Sequence, residues 1–285
     1  MTRDPHDAQT FRERYGPWAF VAGGSDGIGE CFVRAIASRG LNVVVLSRRE
    51  DVLRSLTKRI ADEYGIETRY VVGDLTNDGI MSAIDAGVAD LEVGLLVYNA
   101  GSVHAARKFL DRPVDDALGL IRLNCRGPAL LTHWFGNRMR ARGKGGIVLM
   151  TSLAGLGGSS YTGVYNSTKS FDLVFAESLW HELTPEGIDV LAVIAGATRT
   201  PSMLTSNDRF EAYPGIMDAD EVAIGALSNL GRGPAWVAGD GNRKQAVEMQ
   251  PADRVALINR MSSLCAQLYG MPHVEVKGTS FRDLS

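Results

Sequence analysis

The sequence predicts an α/β protein in which one parallel sheet is wrapped by helices on both faces, a doubly wound architecture. Short runs rich in valine, isoleucine and leucine recur without strict polar alternation, as expected of strands that are buried on both faces. Longer amphipathic stretches separate these runs, so that strand and helix alternate about seven times. A chain of 285 residues lies within the range of such folds when they form one domain.

Seven runs are predicted as strands. They are WAFVAG from 18, LNVVVLS from 41, TRYVVGD from 68, VGLLVYNAG from 93, GGIVLMTS from 145, IDVLAVIAG from 188 and PAWVAG from 234. The stretches from Glu50 to Tyr64 and from Pro113 to Arg142 have the amphipathic pattern of helices. We therefore expect a sheet of about seven parallel strands with helices between them.

One domain is expected to span residues 18–240, because no repeat, low-complexity tract or proline-rich linker divides the chain. Residues 1–17 carry charges of both signs and are expected to form a polar N-terminal arm. The segment 201–220 interrupts the alternation of strands and helices and is interpreted as an inserted lid. In residues 241–285, the stretch PADRVALINRMSSLCAQLYG from 251 predicts a final helix, followed by a tail.

Composition and charge are those of an ordinary globular protein. Hydrophobic residues make up 45% and charged residues 22% of the chain, which is enough for a full core. A net charge of −3 gives no electrostatic reason to expect a nucleic acid or an anionic membrane as partner. No apolar run approaches the ~20 residues that span a bilayer, and the polar start does not resemble a signal peptide. The three cysteines lack metal-ligand spacing, so we expect no metal site and a cytoplasmic location.

A glycine-rich turn follows the first predicted strand. The stretch AGGSDGIGE places Gly23, Gly27 and Gly29 in the spacing G-x-x-x-G-x-G, ahead of a helical pattern. Glycine permits a tight turn and lets backbone N–H groups approach a pyrophosphate, which the positive end of the next helix also attracts. Such a turn can also serve only to pack a helix on a strand. Its place between the first strand and a helix favours a dinucleotide site.

Polar residues also follow later strands. Asn99 ends the fourth predicted strand, Ser152 ends the fifth, and Tyr165 begins the next helix with Lys169 one turn further along. Ligands of open α/β sheets bind beyond the carboxyl ends of the strands, so these residues are expected to meet on one side of the sheet. An isolated Y-x-x-x-K pair is more often an exposed aromatic beside a solvated cation. Its interpretation therefore depends on the other residues.

The long helix before the fifth strand carries Asn124, four residues ahead of Pro128. Proline has no N–H and cannot donate to the carbonyl of Asn124. That carbonyl is then free to hold a water molecule, and the helix is expected to kink. A proline that is merely tolerated in a bent helix is the alternative interpretation.

Together these motifs resemble the short-chain dehydrogenase/reductase family over about residues 18–240. The matching positions are Gly23, Gly27, Ile28, Gly29, Asn99, Ala100, Gly101, Asn124, Ser152, Tyr165 and Lys169. The stretch YGPWAFVAGGSDGIGE is similar to the branch of very-long-chain 3-oxoacyl reductases and hydroxysteroid dehydrogenases. Two positions depart from the family pattern, since Ala22 replaces a threonine and Ala195 replaces the proline of P-G-x-x-x-T. The resemblance implies a Rossmann-like fold and an oxidoreductase with a nicotinamide cofactor.

The resemblance also implies the roles of the site residues. Tyr165 would be the general acid for carbonyl reduction, with the Lys169 ammonium favouring its phenolate form. Ser152 would hold the substrate oxygen, Lys169 the nicotinamide ribose, and a water on the Asn124 carbonyl would reload the proton. Asp74 would accept from the adenine amine or instead cap the helix that follows. The other cofactor contacts implied are Ser25, Leu75, Gly196, Thr198 and Thr200.

The end of the second strand bears on the choice of cofactor. In NAD-dependent members of such folds an acidic residue there binds the ribose 2′-OH, whereas here Ser47 occupies that place and Arg48 follows. A hydroxyl and a guanidinium can both donate to a 2′-phosphate, which predicts NADP (NADPH) and reduction as the main direction. In the alternative, Arg48 and Arg49 are a solvated pair at the start of a helix. Asp26, inside the glycine turn, argues mildly against NADP.

The lid predicts an apolar small-molecule substrate such as a steroid, 3-oxoacyl or aryl carbonyl compound. Its large apolar residues are Met203, Leu204, Phe210, Tyr213, Ile216 and Met217. The same side chains can also simply pack the lid onto the body. Two other functions stay open, an NAD-linked alcohol or hydroxysteroid dehydrogenase and a non-catalytic NADP sensor. The resemblance implies a homodimer or homotetramer built on the helices that carry Asn124 and Tyr165.

Overall fold

The computed structural model describes residues 8–102, 107–159, 161–206, 215–249 and 274–278, together with Val255 and Asn259. The helices are α1 (Ala8–Tyr15), α2 (Gly27–Ala37), α3 (Glu50–Tyr64), α4 (Ile80–Val88), α5 (Val114–Ile121), α6 (Gly127–Arg142), α7 (Gly163–Leu183), α8 (Pro201–Ser206), α9 (Ala219–Asn229) and α10 (Asp240–Met249). The strands are β1 (Trp18–Ala22), β2 (Asn42–Ser47), β3 (Thr68–Val72), β4 (Val93–Tyr98), β5 (Gly145–Ser152), β6 (Ile188–Ala195), β7 (Thr198–Arg199), β8 (Met217–Asp218) and β9 (Ala235–Val237). Between α5 and α6 lies a π-helical turn, Arg122–Arg126, called here the π turn.

Seven strands form the central sheet in the order β3-β2-β1-β4-β5-β6-β9, and every neighbouring pair is parallel. Each of the seven predicted runs coincides with one of these strands, so the predicted doubly wound fold is confirmed. β1 pairs with β2 on one side and with β4 on the other. The strand order therefore reverses at β1, and this reversal opens a crevice beyond the carboxyl ends of β1 and β4.

Apolar side chains fill both faces of the sheet, which explains why its strands do not alternate between polar and apolar residues. On one face the core includes Ile84 of α4, Phe135 of α6 and Trp180 of α7. On the other face it includes Phe32 of α2 and Leu53 of α3. Fully burying one such side chain contributes about 1.5–3 kcal/mol, so the two helical layers hold the sheet rigidly.

The first seventeen residues differ from the predicted polar arm, because residues 8–15 form α1 and pack onto the domain. Phe11 and Tyr15 are 2% and 4% exposed. The Tyr15 hydroxyl donates to Asp189 Oδ2 at 2.6 Å, and the Arg14 guanidinium donates to both carboxylate oxygens. Burial and the nearby Asp189 charge raise the pKa of Tyr15, so its hydroxyl keeps the proton that it donates. The i, i+4 spacing of Phe11 and Tyr15 is the helical signal that the surrounding charges obscure.

The lid and the C-terminal part are described only in pieces. α8 and β8 belong to the predicted lid segment, whereas Phe210 and Tyr213 lie outside the described residues. The predicted helix from 251 also lies outside them, apart from Val255 and Asn259. Asn259 exchanges two hydrogen bonds of 2.8 and 3.0 Å with the backbone of Val276, whose side chain is buried in the core. This short segment therefore docks on the same domain.

Neither a membrane span nor a metal cluster is found in the part of the chain that the structure describes. None of their helices combines the length and apolarity that a membrane span requires. No group of three His, Cys, Asp or Glu side chains within them is arranged to hold a metal ion. Cys31 and Cys125 are free thiols, and Cys265 lies outside the described part of the chain.

Replacing Tyr15 by phenylalanine removes the hydroxyl that binds Asp189 and keeps the ring in the core. Asp189 retains the Arg14 guanidinium, so one buried hydrogen bond to a charged group is lost. We expect the free energy of unfolding, measured by urea denaturation, to fall by about 1.5–3 kcal/mol. Tyr70→Phe is the matched control, since the Tyr70 hydroxyl makes a long, exposed bond of 3.4 Å to Glu50. Equal stability of the two variants would contradict an anchoring role for α1.

Candidate active site

The glycine turn between β1 and α2 is closed against the end of β4. Gly23 and Gly27 have φ angles of +76° and +53°, in the left-handed region that favours glycine. A side chain at Gly29 would collide with the carbonyl oxygen of Gly23. The same oxygen accepts a 2.9 Å hydrogen bond from Asn99 Nδ2. A Cβ on Gly23 would lie 2.7 Å from the backbone nitrogen of Ala100, so β1 and β4 are joined here at close range.

This turn fits the pyrophosphate of a dinucleotide. Its glycines leave the backbone open where side chains would fill the crevice, and α2 directs its positive end at the same place. Within the described chain, the Asp26 side chain does not cap α2, so its N-terminal N–H groups remain available to an anion. Ser25 is half-buried in the turn, and Ile28 packs against the core.

Two arginines at the end of β2 connect the glycine turn to the end of β3. Arg49 Nη2 lies 3.5 Å from Asp26 Oδ2, and Arg48 Nη1 lies 4.0 Å from Asp74 Oδ2. Ser47 accepts a 3.4 Å bond from the Arg49 backbone N–H, so its hydroxyl proton stays free to donate. The guanidinium of Arg49 thus offsets the Asp26 charge that the sequence alone counts against a 2′-phosphate.

Asp74 closes a turn at the end of β3. Its Oδ1 accepts from the backbone and the hydroxyl of Thr76 at 2.8 and 2.7 Å. Burial raises the pKa of Asp74, but these bonds and the Arg48 charge outweigh it, and the pKa is lowered overall. The helix expected near Thr76 begins only at Ile80, because this turn intervenes, so the predicted capping role is wrong. Leu75 is 4% exposed and packs in the core, so only its backbone can face a ligand.

The loop after β6 approaches the glycine turn from the other side of the crevice. A Cβ on Gly27 would lie 2.9 Å from Thr200 Cγ2, so the two segments are in contact. Thr198 is buried and donates to the Gly196 carbonyl at 3.1 Å. Gly196 in turn lies against Asn242 of α10, which a Cβ on Gly196 would meet at 2.5 Å. The loop after β6 therefore lies next to the glycine turn, as expected if both segments contact one cofactor.

Lys169 is held beneath the start of α7, one turn from Tyr165. Its side chain is nearly buried, and Nζ donates to the Met150 carbonyl at 2.7 Å and to Asp172 Oδ2 at 2.9 Å. A Cβ on Gly101 would lie 3.5 Å from Lys169 Nζ, so the ammonium borders the turn after β4. Tyr165 is half-buried.

Ser152 ends β5, and the loop that follows is tied to α7. Ser152 Oγ accepts from the Ala154 backbone N–H at 3.2 Å, which leaves its hydroxyl proton free. Asn166 Nδ2 donates to the Gly157 carbonyl at 2.9 Å, and Ser170 Oγ donates to the Gly155 carbonyl at 2.5 Å. These bonds hold the start of α7 beside the end of β5, on the side of the crevice.

Asn124 lies in the π turn and is fully buried. Its Nδ2 donates to Thr168 Oγ1 at 3.0 Å and to the Ser102 carbonyl at 3.3 Å. Thr168 Oγ1 then donates to the Tyr165 carbonyl at 2.8 Å. Pro128 follows in the first turn of α6, where its missing N–H is tolerated. The predicted kink takes the form of a π turn, a feature that often marks functional sites in helices.

The model of the short chain dehydrogenase family matches residues 17–210, a segment that contains the glycine turn, Asn124, Ser152, Tyr165 and Lys169. The chain belongs to the short-chain dehydrogenase/reductase family. It is therefore an oxidoreductase of the CH–OH class that uses a nicotinamide cofactor.

Similar proteins support this assignment. The 7β-hydroxysteroid dehydrogenase of Collinsella aerofaciens is 30% identical over 236 residues, which cover 81% of this chain and 89% of that protein. The very-long-chain 3-oxoacyl-CoA reductase of Rattus norvegicus is 34% identical over 64% of this chain and 59% of its own. A solved 7β-hydroxysteroid dehydrogenase has a TM-score of 0.79 at 28% identity, covering 88% of this chain and 98% of that one. A short-chain dehydrogenase from Sphingobium yanoikuyae in complex with NADPH has a TM-score of 0.71 at 26% identity, covering 91% and 99%. The predicted family and branch are confirmed.

Sequence reasoning missed three residues of this short-chain dehydrogenase site. Asp172 could have been found, because a carboxylate on the buried face of α7, three residues after Lys169, requires a partner. Thr168 and Asn242 gave no signal of their own. Thr168 bonds to Asn124, and Asn242 lies against Gly196, so each joins segments that only the folded chain brings together.

Gly29→Ala tests the glycine turn. The added methyl group would collide with the Gly23 carbonyl and press on Asn99 Nδ2 at 2.7 Å, so the turn must open. We expect the affinity for the nicotinamide dinucleotide, measured by cofactor fluorescence, to fall by at least about tenfold, the equivalent of about 1.4 kcal/mol. Gly119→Ala in α5 is the control, since, apart from the adjoining backbone of α5, no described atom lies within 4 Å of its added Cβ. Similar affinities of both variants would contradict the assigned turn.

Proposed function

We propose that this chain is an NADPH-dependent reductase that converts an apolar ketone or aldehyde into an alcohol, with Tyr165 as the general acid. The observation that carries the proposal is the nearly buried Lys169 ammonium, fixed one turn from Tyr165 on the helix that is tied to the end of β5. A fixed cation beside a phenol favours transfer of the phenolic proton.

Each residue has a defined task in this reaction. The free proton of Ser152 donates to the substrate oxygen and stabilises the negative charge that develops there. Tyr165 then transfers its proton to that oxygen, and the Lys169 ammonium stabilises the phenolate that remains. A nicotinamide cofactor held beyond the glycine turn would supply the hydride. The carbonyl of Asn124 receives no hydrogen bond from Pro128, which supports its role in holding a water that returns a proton to the site.

The proposed preference for NADPH rests on the charges at the end of β2. Arg48 and Arg49 flank Ser47 and present two guanidinium groups with 78% and 56% of their side-chain surface exposed. A 2′-phosphate would find donors on Ser47 and Arg48, while Arg49 already offsets Asp26. The complex of the Sphingobium yanoikuyae relative with NADPH supports the same choice.

An apolar carbonyl substrate is supported by the lid segment and by the relatives. Met203 and Leu204 are half-buried in α8, and Met217 packs partly against the core next to the loop after β6. The relatives named above act on a hydroxysteroid or a 3-oxoacyl thioester, both of which are large and apolar. We propose a substrate of this class.

We further propose that the protein is a homo-oligomer whose subunits meet through α5 and α7. These helices pack against each other and expose a strip of large apolar side chains. The strip consists of Val114, Leu118, Ile121, Phe171 and Val174, each between 38% and 61% exposed. A second copy would cover this strip. The free thiols of Cys31 and Cys125 suit the reducing cytoplasm.

Tyr165→Phe removes the transferable proton and keeps the ring. We expect kcat for NADPH-dependent ketone reduction to fall by about 10²–10⁴-fold, with the dissociation constant of NADPH nearly unchanged. The rate is measured by the loss of NADPH absorbance on a panel of ketones, aldehydes and 3-oxoacyl thioesters. Tyr64→Phe, at the end of α3, controls for the loss of a phenol elsewhere and keeps the wild-type rate. A wild type inactive on the whole panel would favour the non-catalytic sensor instead.

The double variant Ser47→Asp/Arg48→Ile tests the cofactor preference. The wild type is expected to favour NADPH over NADH in kcat/KM by roughly ten- to more than a hundredfold, from bonds of about 1.5–3 kcal/mol. The double variant should lose this preference, because an acidic side chain repels the 2′-phosphate. Arg59→Ile is the control, since Arg59 is exposed near the turn but is bound to Glu30 at 2.7 Å. A wild type that prefers NADH would overturn the assignment.

A further inference from the structure

A buried carboxylate lies next to the ammonium of the proposed proton donor system. Asp172 is 1% exposed and occupies the third position after Lys169 in α7. Its Oδ2 accepts the 2.9 Å bond from Lys169 Nζ, whereas its Oδ1 has no hydrogen-bond partner among the described residues. Burial of a carboxylate is unfavourable unless a cation compensates it, so the lysine and the aspartate form one electrostatic unit.

The groups around Asp172 leave Lys169 as its cationic partner within the described chain. Tyr98 of β4 faces it, but the Tyr98 hydroxyl donates to the Leu123 carbonyl at 2.6 Å. Cys125 of the π turn also faces it, and burial, followed by the Asp172 charge, raises the pKa of that thiol to about 11. Burial raises the pKa of Asp172 to about 6, against the opposing attraction of Lys169. Above that pH the aspartate is ionised, and its negative charge cancels the positive charge of Lys169.

The hydrogen bonds of Lys169 to Met150 and Asp172 limit the number of bonds that its ammonium can make to a ligand. A lysine has three N–H donors, and the Met150 carbonyl and Asp172 take two of them. One donor remains for a group that enters the crevice beside Gly101. An ionised carboxylate at 2.9 Å also weakens the field that the ammonium exerts on the phenol of Tyr165, one helical turn away.

We propose that Asp172 is a positioning residue that fixes Lys169 and offsets its charge, so that Tyr165 keeps its proton at neutral pH and the enzyme is biased towards reduction. The proposal deepens the proposed reductase function and rests on it. In a reductase the acid must be protonated when substrate binds, and an unopposed ammonium would favour the phenolate instead. Asp172 thus adjusts the direction in which the site works best.

Asp172→Asn tests the proposal, because it keeps the shape of the side chain and removes its charge. We expect the alkaline limb of kcat for reduction to move to lower pH, because removal of the carboxylate leaves the Lys169 ammonium unopposed and an unopposed cation favours the phenolate. The rate of alcohol oxidation relative to reduction at neutral pH should rise for the same reason. Asp172→Ser, which leaves room for a water, should shift the limb in the same direction. Asp172→Glu keeps the charge and should retain the wild-type limb.

Glu177→Gln is the matched control. Glu177 is a second carboxylate on α7 with 6% exposure, about 12 Å further along the axis from Lys169 at 1.5 Å per residue. Its removal should leave the alkaline limb in place. If Asp172→Asn and Asp172→Ser are both active with the wild-type limb, the proposed offset of charge is wrong.

A second measurement needs neither cofactor nor turnover. Ionisation of the phenol in the free protein is followed by ultraviolet difference titration, with the spectrum of the corresponding Tyr165→Phe variant subtracted. In Asp172→Asn the midpoint should lie below that of the wild type, because the Lys169 ammonium is no longer offset by a carboxylate. An unchanged midpoint overturns the positioning role. If Asp172→Asn lowers the midpoint but the wild type reduces no carbonyl compound, the proposed reductase function is wrong. The effect of the Asp172 charge on Tyr165 would then still stand.

Discussion

The contact between the glycine turn and the end of β4 determines where every functional group of this protein lies. Because β1 pairs with both β2 and β4, the chain leaves β1 at the point where the order of the strands reverses. Gly23 and Gly29 allow that exit without filling the space, and Asn99 bonds across it to the Gly23 carbonyl. The loops after β2, β3, β5 and β6 then end around one crevice. A side chain at Gly29 would disturb all of them together.

The helix α7 gives the site its second fixed frame. It carries Tyr165 and Lys169, and it is bonded to β5 through Met150, to the following loop through Gly155 and Gly157, and to the π turn through Thr168. Bonds to several different segments restrict the helix in each direction. The relative positions of Tyr165 and Lys169 are therefore set before any ligand binds, as the proposed proton transfer requires.

The sequence predicts those parts of the fold that leave a pattern in neighbouring residues, and it fails where distant residues decide the structure. The seven strands were predictable because burial on both faces leaves an apolar signal, and the glycine turn because its geometry admits few other residues. α1 was not predictable in the same way, since its stability depends on Asp189, far away in the chain. The late start of α4 depends on a local turn of Asp74 that competes with helix formation. The roles assigned to Ser152 and Tyr165 remain predictions, because they concern chemistry with ligands.

The helix α1 is packed onto the folded domain but lies outside the residues that the family model matches. The family match begins at residue 17, after Arg14 and Tyr15, yet both residues donate hydrogen bonds to the Asp189 carboxylate of β6. A shortened chain that begins at the family boundary would leave Asp189 buried without a cation or a hydroxyl beside it. Fusion partners and truncations at this end would thus act at the amino end of β6, whereas the crevice lies beyond the carboxyl ends of the strands. The folded domain therefore includes residues that precede the start of the family match.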